Sequence, residues 1–168
     1  MAARPDKDPG AFKLKANRAG QTVFVAPDEV EGTLARGFDF YRSLETSFAR
    51  AVFMMFLVSE VHPFTDGNGR IARIMSNAEL VATKEERILI PTIFRSNYLT
   101  SLKALSQSSN PTPIVRTLDF AQRWVVAVPW TDVTATRAVL EQCNAFMDAA
   151  EADDAGIRLK IPDAVSGV

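Results

Sequence analysis

Residues 45–60, ETSFARAVFMMFLVSE, constrain this chain more than any other segment. Phe48, Val52, Met55 and Ser59 recur at helical spacing as one stripe, Met54 and Val58 widen it, and Phe53 and Leu57 face roughly the opposite side. A helix apolar on every face must lie at the centre of its domain. The fold therefore has to wrap other helices around this one. The pattern stops at Pro63, and Gly67 with Gly69 imposes a loop directly after the buried rod.

Helices to do the wrapping are readable on both sides. Pro27 with Asp28 and Glu29 resembles a helix start, its acids favouring the positive end of the dipole, and that helix runs through Leu34 toward Phe40 or Leu44. After the loop a helix is expected over residues 69–84, with Ile71, Met75, Ala78, Leu80 and Val81 inward. Residues 94–107, 114–128 and 131–152 follow, each with apolar residues at i, i+3 and i+4. Residues 87–91 (RILIP) read as an extended linker, residues 106–113 (SQSSNPTP) as a loop, and Pro113 suits a first helical turn. The one β signal is residues 21–25 (QTVFV), β-branched and aromatic between Gly20 and Pro27, a short strand or hairpin arm. The expectation is an all-α fold with one small β element. Residues 1–19 read as an N-terminal extension, 20–152 as the domain and 153–168 as a polar tail.

Charge and composition remove several function classes. A formal net charge of −1 supplies no basic footprint, so a nucleic-acid partner is not expected. The single cysteine, Cys143, rules out an internal disulfide, and with a single histidine no zinc constellation can be assembled. Cys143 is expected on a helix as a small buried hydrophobe, and Trp124 and Trp130 as packing residues. The N-terminal MAARPDKDPG has no apolar h-region, and the apolar run over residues 51–58 is far short of the ~20 residues that span a bilayer. The chain reads as cytoplasmic, with no membrane partner.

The loop after the buried helix carries the chemistry. It runs His62-Pro63-Phe64-Thr65-Asp66-Gly67-Asn68-Gly69-Arg70-Ile71-Ala72-Arg73 and begins with the only histidine. Gly67 and Gly69 have no Cβ, so the backbone between them can adopt positive φ and approach a ligand closely. A turn of this kind feeding a helix aims unpaired N–H groups at one point, where the dipole also favours negative charge. Arg70 and Arg73 lie on one face of the emerging helix, and each can fork two phosphate oxygens. Asp66 supplies one hard oxygen, and one carboxylate with phosphate oxygens and waters is how Mg²⁺ is usually held at a nucleotide site. His62, with an unperturbed pKa of ~6.5, is the natural base, and such a group typically contributes ~10²–10⁴ in rate. Phe64 is expected to point inward as an anchor.

Two other phosphate motifs compete with this one. Residues 67–72 (GNGRIA) also fit the dinucleotide fingerprint, with residues 52–58 as its strand and Glu85 or Glu86 as its ribose acid. The glycines do not directly follow that run, however, and no alternating βα pattern surrounds it. A Walker loop is excluded because no Gly-Lys-Ser/Thr follows.

HPFTDGNGRIAR resembles the Fic-family signature, His-Pro-Phe-x-Asp/Glu-Gly-Asn-Gly-Arg-x-x-Arg, with no departure at any defined position. The resemblance covers residues 20–130 and implies a Fic-type helical bundle with a small β-hairpin flap. Fic enzymes usually transfer AMP from ATP to a Ser, Thr or Tyr hydroxyl of a protein. By resemblance His62 is the general base and Asp66 the Mg²⁺ ligand. Gly67, Asn68 and Gly69 form the anion hole, Arg70 braces the phosphates and Arg73 meets the γ-phosphate. Thr22, Val23, Phe24 and Val25 fall where the family carries a flap that registers the target as an added strand, a plain core-edge strand being the competing reading. Asn97 and Tyr98 sit in a stretch similar to a Fic helix lining the nucleotide pocket, with surface placement as the alternative.

Departures bear on specificity and regulation. Doc-type members phosphorylate their target, and tend to carry Lys where this chain has Gly69 and to lack the last arginine. Gly69 and Arg73 therefore favour AMP transfer over a Doc-like kinase or another phosphoryl-compound transferase. The intact His62, Asp66 and Arg73 argue against a non-catalytic binding module. Many members also carry an inhibitory Ser/Thr-x-x-x-Glu-Gly/Asn helix, and no glutamate here has Ser or Thr four residues before it. Three arrangements stay open: an inhibitory partner protein in trans, an inhibitory helix in sequence this chain lacks, or no such restraint.

Overall fold

In the computed structural model, which describes residues 5–20 and 22–162, the chain divides into two units, Met1–Glu85 and Glu86–Val168. The first unit opens with a 3-10 turn, Pro5–Lys7, and a hairpin of β1 (Arg18–Ala19) and β2 (Thr22–Val23). The strands are antiparallel, Arg18 facing Val23 and Ala19 facing Thr22, and Gly20 in their connection takes a left-handed φ of 59°. The 3-10 turn Pro27–Glu29 leads into α1 (Val30–Tyr41), followed by α2 (Ser47–Val61) and α3 (Asn68–Ala82). The expected hairpin arm is thus β2 of a true hairpin. Gln21, the first residue of that arm, lies outside the described residues.

α2 is the central rod that its sequence demands. The Thr46 hydroxyl caps its start by accepting from the Ala49 N–H at 3.1 Å. Ala51, Val52, Met54, Met55, Leu57, Val58 and Val61 are all buried, which covers nearly every direction around the axis. α1 and α3 pack against it. Gly37 of α1 lies so close to Leu57 that a Cβ there would fall 2.5 Å from a Leu57 methyl. Polar side chains tie the same three helices together. The Tyr41 hydroxyl meets both Glu79 carboxylate oxygens at 2.9 Å, and Arg50 Nε reaches Glu79 Oε2 at 3.3 Å.

Of the residues expected inward on α3, Leu80 is buried as expected, but the rest of the buried face differs. Its buried residues are Asn68, Ala72, Ser76 and Leu80, a strict i, i+4 stripe, while Ile71, Ala78 and Val81 are exposed and Met75 is half-buried. The small Ala72 and Ser76 allow close approach to α2, and Asn68 must face inward to bond the loop before it. Packing distance and a polar staple set this rotation, and apolar content alone does not.

The second unit contains the 3-10 turn Thr92–Phe94, then α4 (Arg95–Ser108), α5 (Thr112–Ala127), α6 (Val133–Gln142) and α7 (Ala149–Asp154). Pro113 occupies the first turn of α5, as expected. Ile93, Trp124, Val125, Val128, Cys143 and Leu159 are among the residues of its core. The single helix expected over residues 131–152 is instead two. Cys143 ends α6 rather than lying within a helix, Asn144 is left-handed at φ 64°, and the Asp148 carboxylate caps α7 through the Ala150 and Glu151 N–H groups. Leu159 and the half-buried Ile157 turn the polar tail back onto this core. Trp124 is buried, and Trp130, half-exposed, stands edge-on to it. Among the described residues no helix is long and apolar enough to cross a membrane.

Candidate active site

His62 ends α2 in a left-handed conformation, φ 49° and ψ 55°, which turns the chain sharply out of the helix. A non-glycine residue held there is uncommon and needs support from its surroundings. The imidazole receives it on two sides. Its Nδ1 lies 3.1 Å from the Ser59 carbonyl, and the Phe24 ring stacks on it at 3.7 Å between centroids and 7° between planes. A carbonyl oxygen can only accept, so Nδ1 carries the proton and Nε2 is left as the basic nitrogen. Burial pushes the imidazole pKa below its usual 6.5. The Ser59 bond works the other way, the nearby Lys13 charge lowers it further, and Glu60 raises it.

The loop beyond His62 is braced by Asn68, the first residue of α3. Its side chain is buried, accepts the Phe64 N–H and donates to the Phe64 carbonyl, each at 2.8 Å. Phe64 is half-buried against the Phe12 ring. Gly67 caps α3 at φ 85°, a left-handed position that favours glycine, and a Cβ there would meet the Arg70 guanidinium at 3.2 Å. The Asp66 carboxylate accepts the Gly67 N–H at 2.6 Å and faces Arg70 at 3.4 Å. The Gly67 carbonyl takes the Arg70 and Ile71 N–H groups, while those of Asn68 and Gly69 find no acceptor among the described residues. These two open N–H groups sit at the positive end of a four-turn helix.

Arg70 and Arg73 are both exposed, one turn apart on α3. A Cβ on Gly69 would lie 3.6 Å from Arg73 Nη1, so Gly69 keeps the space beside that guanidinium clear. Arg73 forms no ion pair or hydrogen bond among the described residues of the first unit. Thr22, Val23, Phe24 and Val25 form the arm that brings the Phe24 ring onto His62. Only Phe24 touches a motif residue through its ring, and Val23 is 73% exposed. No group of three His, Cys, Asp or Glu side chains that could enclose a metal occurs among the described residues. Asp66 alone could contribute an oxygen to a cation that arrives with phosphates. Tyr98 is buried within the second unit and Asn97 is exposed there.

Sequence reasoning assigned no part in the site to Lys13, Asn17 or Ser59. Ser59 sits one helical turn before His62, and the pair is legible once α2 is known to end there. Lys13 and Asn17 reach the loop from far away in the chain, and no local pattern marks them.

Residues 1–80 match the model of the Fic/DOC family. A Fido domain-containing protein of Dictyostelium discoideum is 34% identical over 76 residues, which are 42% of this chain and 53% of that protein. Protein adenylyltransferase fic-1 of Caenorhabditis briggsae is 33% identical over 97 residues, 55% of this chain and 19% of that one. The chain therefore spans about half the length of the first relative and a fifth of the second. Among solved structures, Fic-1 (residues 134–508) of C. elegans superposes with a TM-score of 0.59 at 24% identity, covering 71% of this chain and 36% of that one. A Fic family protein of Desulfovibrio desulfuricans superposes at 0.56 and 20% identity, covering 88% and 51%. Motif, helical fold and relatives agree on the part of the chain that carries His62: residues 1–80 are a match to the Fic/DOC family.

Proposed function

We propose that this chain is a protein adenylyltransferase, moving AMP from ATP to a Ser, Thr or Tyr hydroxyl of a target protein. One observation carries the reading: Nδ1 of His62 is committed to Ser59, so a neutral imidazole offers Nε2 as a base at the mouth of a loop shaped for phosphates. His62 Nε2 takes the proton of the acceptor hydroxyl, and the hydroxyl oxygen forms a bond to the α-phosphorus. The bond from that phosphorus to the oxygen bridging the β-phosphate breaks. Pyrophosphate leaves with the electron pair, and the proton passes from His62 to solvent.

The remaining groups stabilise charge. The Asn68 and Gly69 N–H groups form the anion hole with the turn at Gly67, Arg70 braces the phosphates and Arg73 takes the γ-phosphate. Asp66 fits a Mg²⁺ carried in on the nucleotide, which when bound neutralises phosphate charge. The unpaired edge of β2 (Thr22–Val23), continued by Phe24 and Val25, receives an extended target segment as an added strand. Gly69 and the open Arg73 favour AMP transfer over Doc-like phosphorylation. An inhibitory partner acting in trans would have to bring a carboxylate to Arg73.

ATP labelled at the α-phosphate, supplied with Mg²⁺ and candidate targets, tests the reading. Label is expected on protein and is abolished by His62→Ala. Label arriving only from the γ-phosphate would establish the Doc-like reaction. Absence of label on every target would leave a binding module.

A further inference from the structure

Four consecutive carbonyls, from Val61 to Phe64, run through the turn that presents His62, and each accepts a hydrogen bond from a single short stretch before the hairpin. Lys13 Nζ donates to Val61 at 3.1 Å and the Lys13 backbone N–H to Pro63 at 2.8 Å. Asn17 Nδ2 donates to His62 at 3.3 Å and to Phe64 at 3.1 Å. Lys13 Nζ also donates to Asn17 Oδ1 at 2.7 Å, closing the bracket.

The bracket is costly to build. Lys13 is 3% exposed, and no carboxylate pairs with it among the described residues. A buried ammonium is expensive unless carbonyls replace its water, and the C-terminal end of α2 is one place where a cation is welcome. Asn17 is tied to the hairpin as well, since its own carbonyl accepts the Phe24 N–H at 3.3 Å. The ring of Phe24 is the one stacked on His62. Backbone and ring of the arm thus meet the base by two routes, one through Asn17 and one direct.

We propose that Lys13 and Asn17 are positioning residues that hold His62 in its left-handed conformation, with Asn17 linking the hairpin arm to the catalytic loop. This rests on the adenylyltransferase reading for its kinetic consequence but not for its structural content. Asn68 shares the Phe64 carbonyl with Asn17 but alone holds the Phe64 N–H, so loosening the bracket misplaces the base while Asn68 keeps the phosphate loop in place.

The test uses the full chain and the fact that His62 is its only histidine, so imidazole signals need no assignment. In the wild type, long-range proton–nitrogen spectra are expected to show the Nδ1–H tautomer. The Asn17 side-chain amide is expected to exchange slowly and to show couplings across its hydrogen bonds to the carbonyls of residues 62 and 64. Asn17→Ala, and Asn17→Asp, which keeps the acceptor for Lys13 but loses both donors, are expected to mix the tautomers. Both should lower kcat for AMP transfer by about 10–100-fold, the scale on which a misplacement of 1 Å acts. KM for Mg-ATP should stay within about twofold in both, since Asn68 still holds the phosphate loop through the Phe64 N–H and carbonyl. Unchanged kcat, or equal loss in kcat and in nucleotide affinity, would overturn the assignment. If the variants do not fold, the wild-type spectra still decide: a fast-exchanging Asn17 amide without couplings overturns the bracket. A wild-type chain that transfers no AMP would sink the adenylyltransferase reading and leave the spectra to judge the bracket alone.

Discussion

An imidazole can serve as a base only while it is neutral, and the surroundings of His62 favour that form. Burial lowers its pKa first, the Ser59 carbonyl opposes the shift, the Lys13 charge adds to it and Glu60 opposes it, with a net direction downward from 6.5. Protonation removes the base, so the acid limb of kcat/KM is expected below pH 6.5 rather than at it, read from a pH–rate profile. Linkage has the same sign. Below pH 6.5 the unfolded chain takes up the proton before the folded one, so this group's contribution to stability is complete above that pH and declines as pH falls through the folded pKa. Phe24→Ala removes the covering ring and returns water to the imidazole, so the acid limb should move up toward 6.5. An acid limb that stays in place would show that the ring does not bury the base. Gly67→Ala tests the turn itself. It forces an L residue into φ 85°, at a cost of about 1–2 kcal/mol, and pushes Arg70 aside, so thermal stability and phosphate binding should fall together.

Among the elements, the join between α2 and α3 depends on Asn68. Its buried amide accepts the Phe64 N–H and shares the Phe64 carbonyl with Asn17, so Asn68→Ala orphans the N–H while the carbonyl keeps one donor. That orphan costs about 1–3 kcal/mol, and denaturant unfolding should register a loss of that size. α2 was legible because an all-round apolar helix has a single solution, and the loop because glycines and proline punctuate it. The rotation of α3 was not, since Ala72 and Ser76 carry weak hydropathy and owe their burial to the proximity of α2. The break between α6 and α7 was hidden by apolar spacing that continues through Val139, Leu140, Cys143, Phe146 and Met147. Its signals were local and present: Asn144, a residue tolerant of the left-handed region, and Asp148 followed by Glu151 as a helix start. Lys13 and Asn17 lay in a stretch read as an extension, because contacts more than forty residues apart leave no periodic trace.

For the molecule as a whole, the elements that hold the motif all belong to the unit Met1–Glu85, which contains the match to the Fic/DOC family. A ligand that binds only the folded state stabilises it, by about 2.7 kcal/mol at a hundredfold excess over Kd. Mg-ATP is therefore expected to raise the melting temperature, and Arg73→Ala to reduce that rise, read in thermal melts with and without nucleotide. Absence of any rise would argue against a nucleotide site at Gly67–Arg73. The proposed reaction puts an adenylyl group, and not a lone phosphate, on the acceptor oxygen. The most direct measurement is tandem mass spectrometry of target proteins after incubation with the wild-type chain, ATP and Mg²⁺. An adenylyl group on a Ser, Thr or Tyr oxygen, missing when His62→Ala is used, is the expected result; a lone phosphate on that oxygen, or an adenylyl group that survives the substitution, would contradict it.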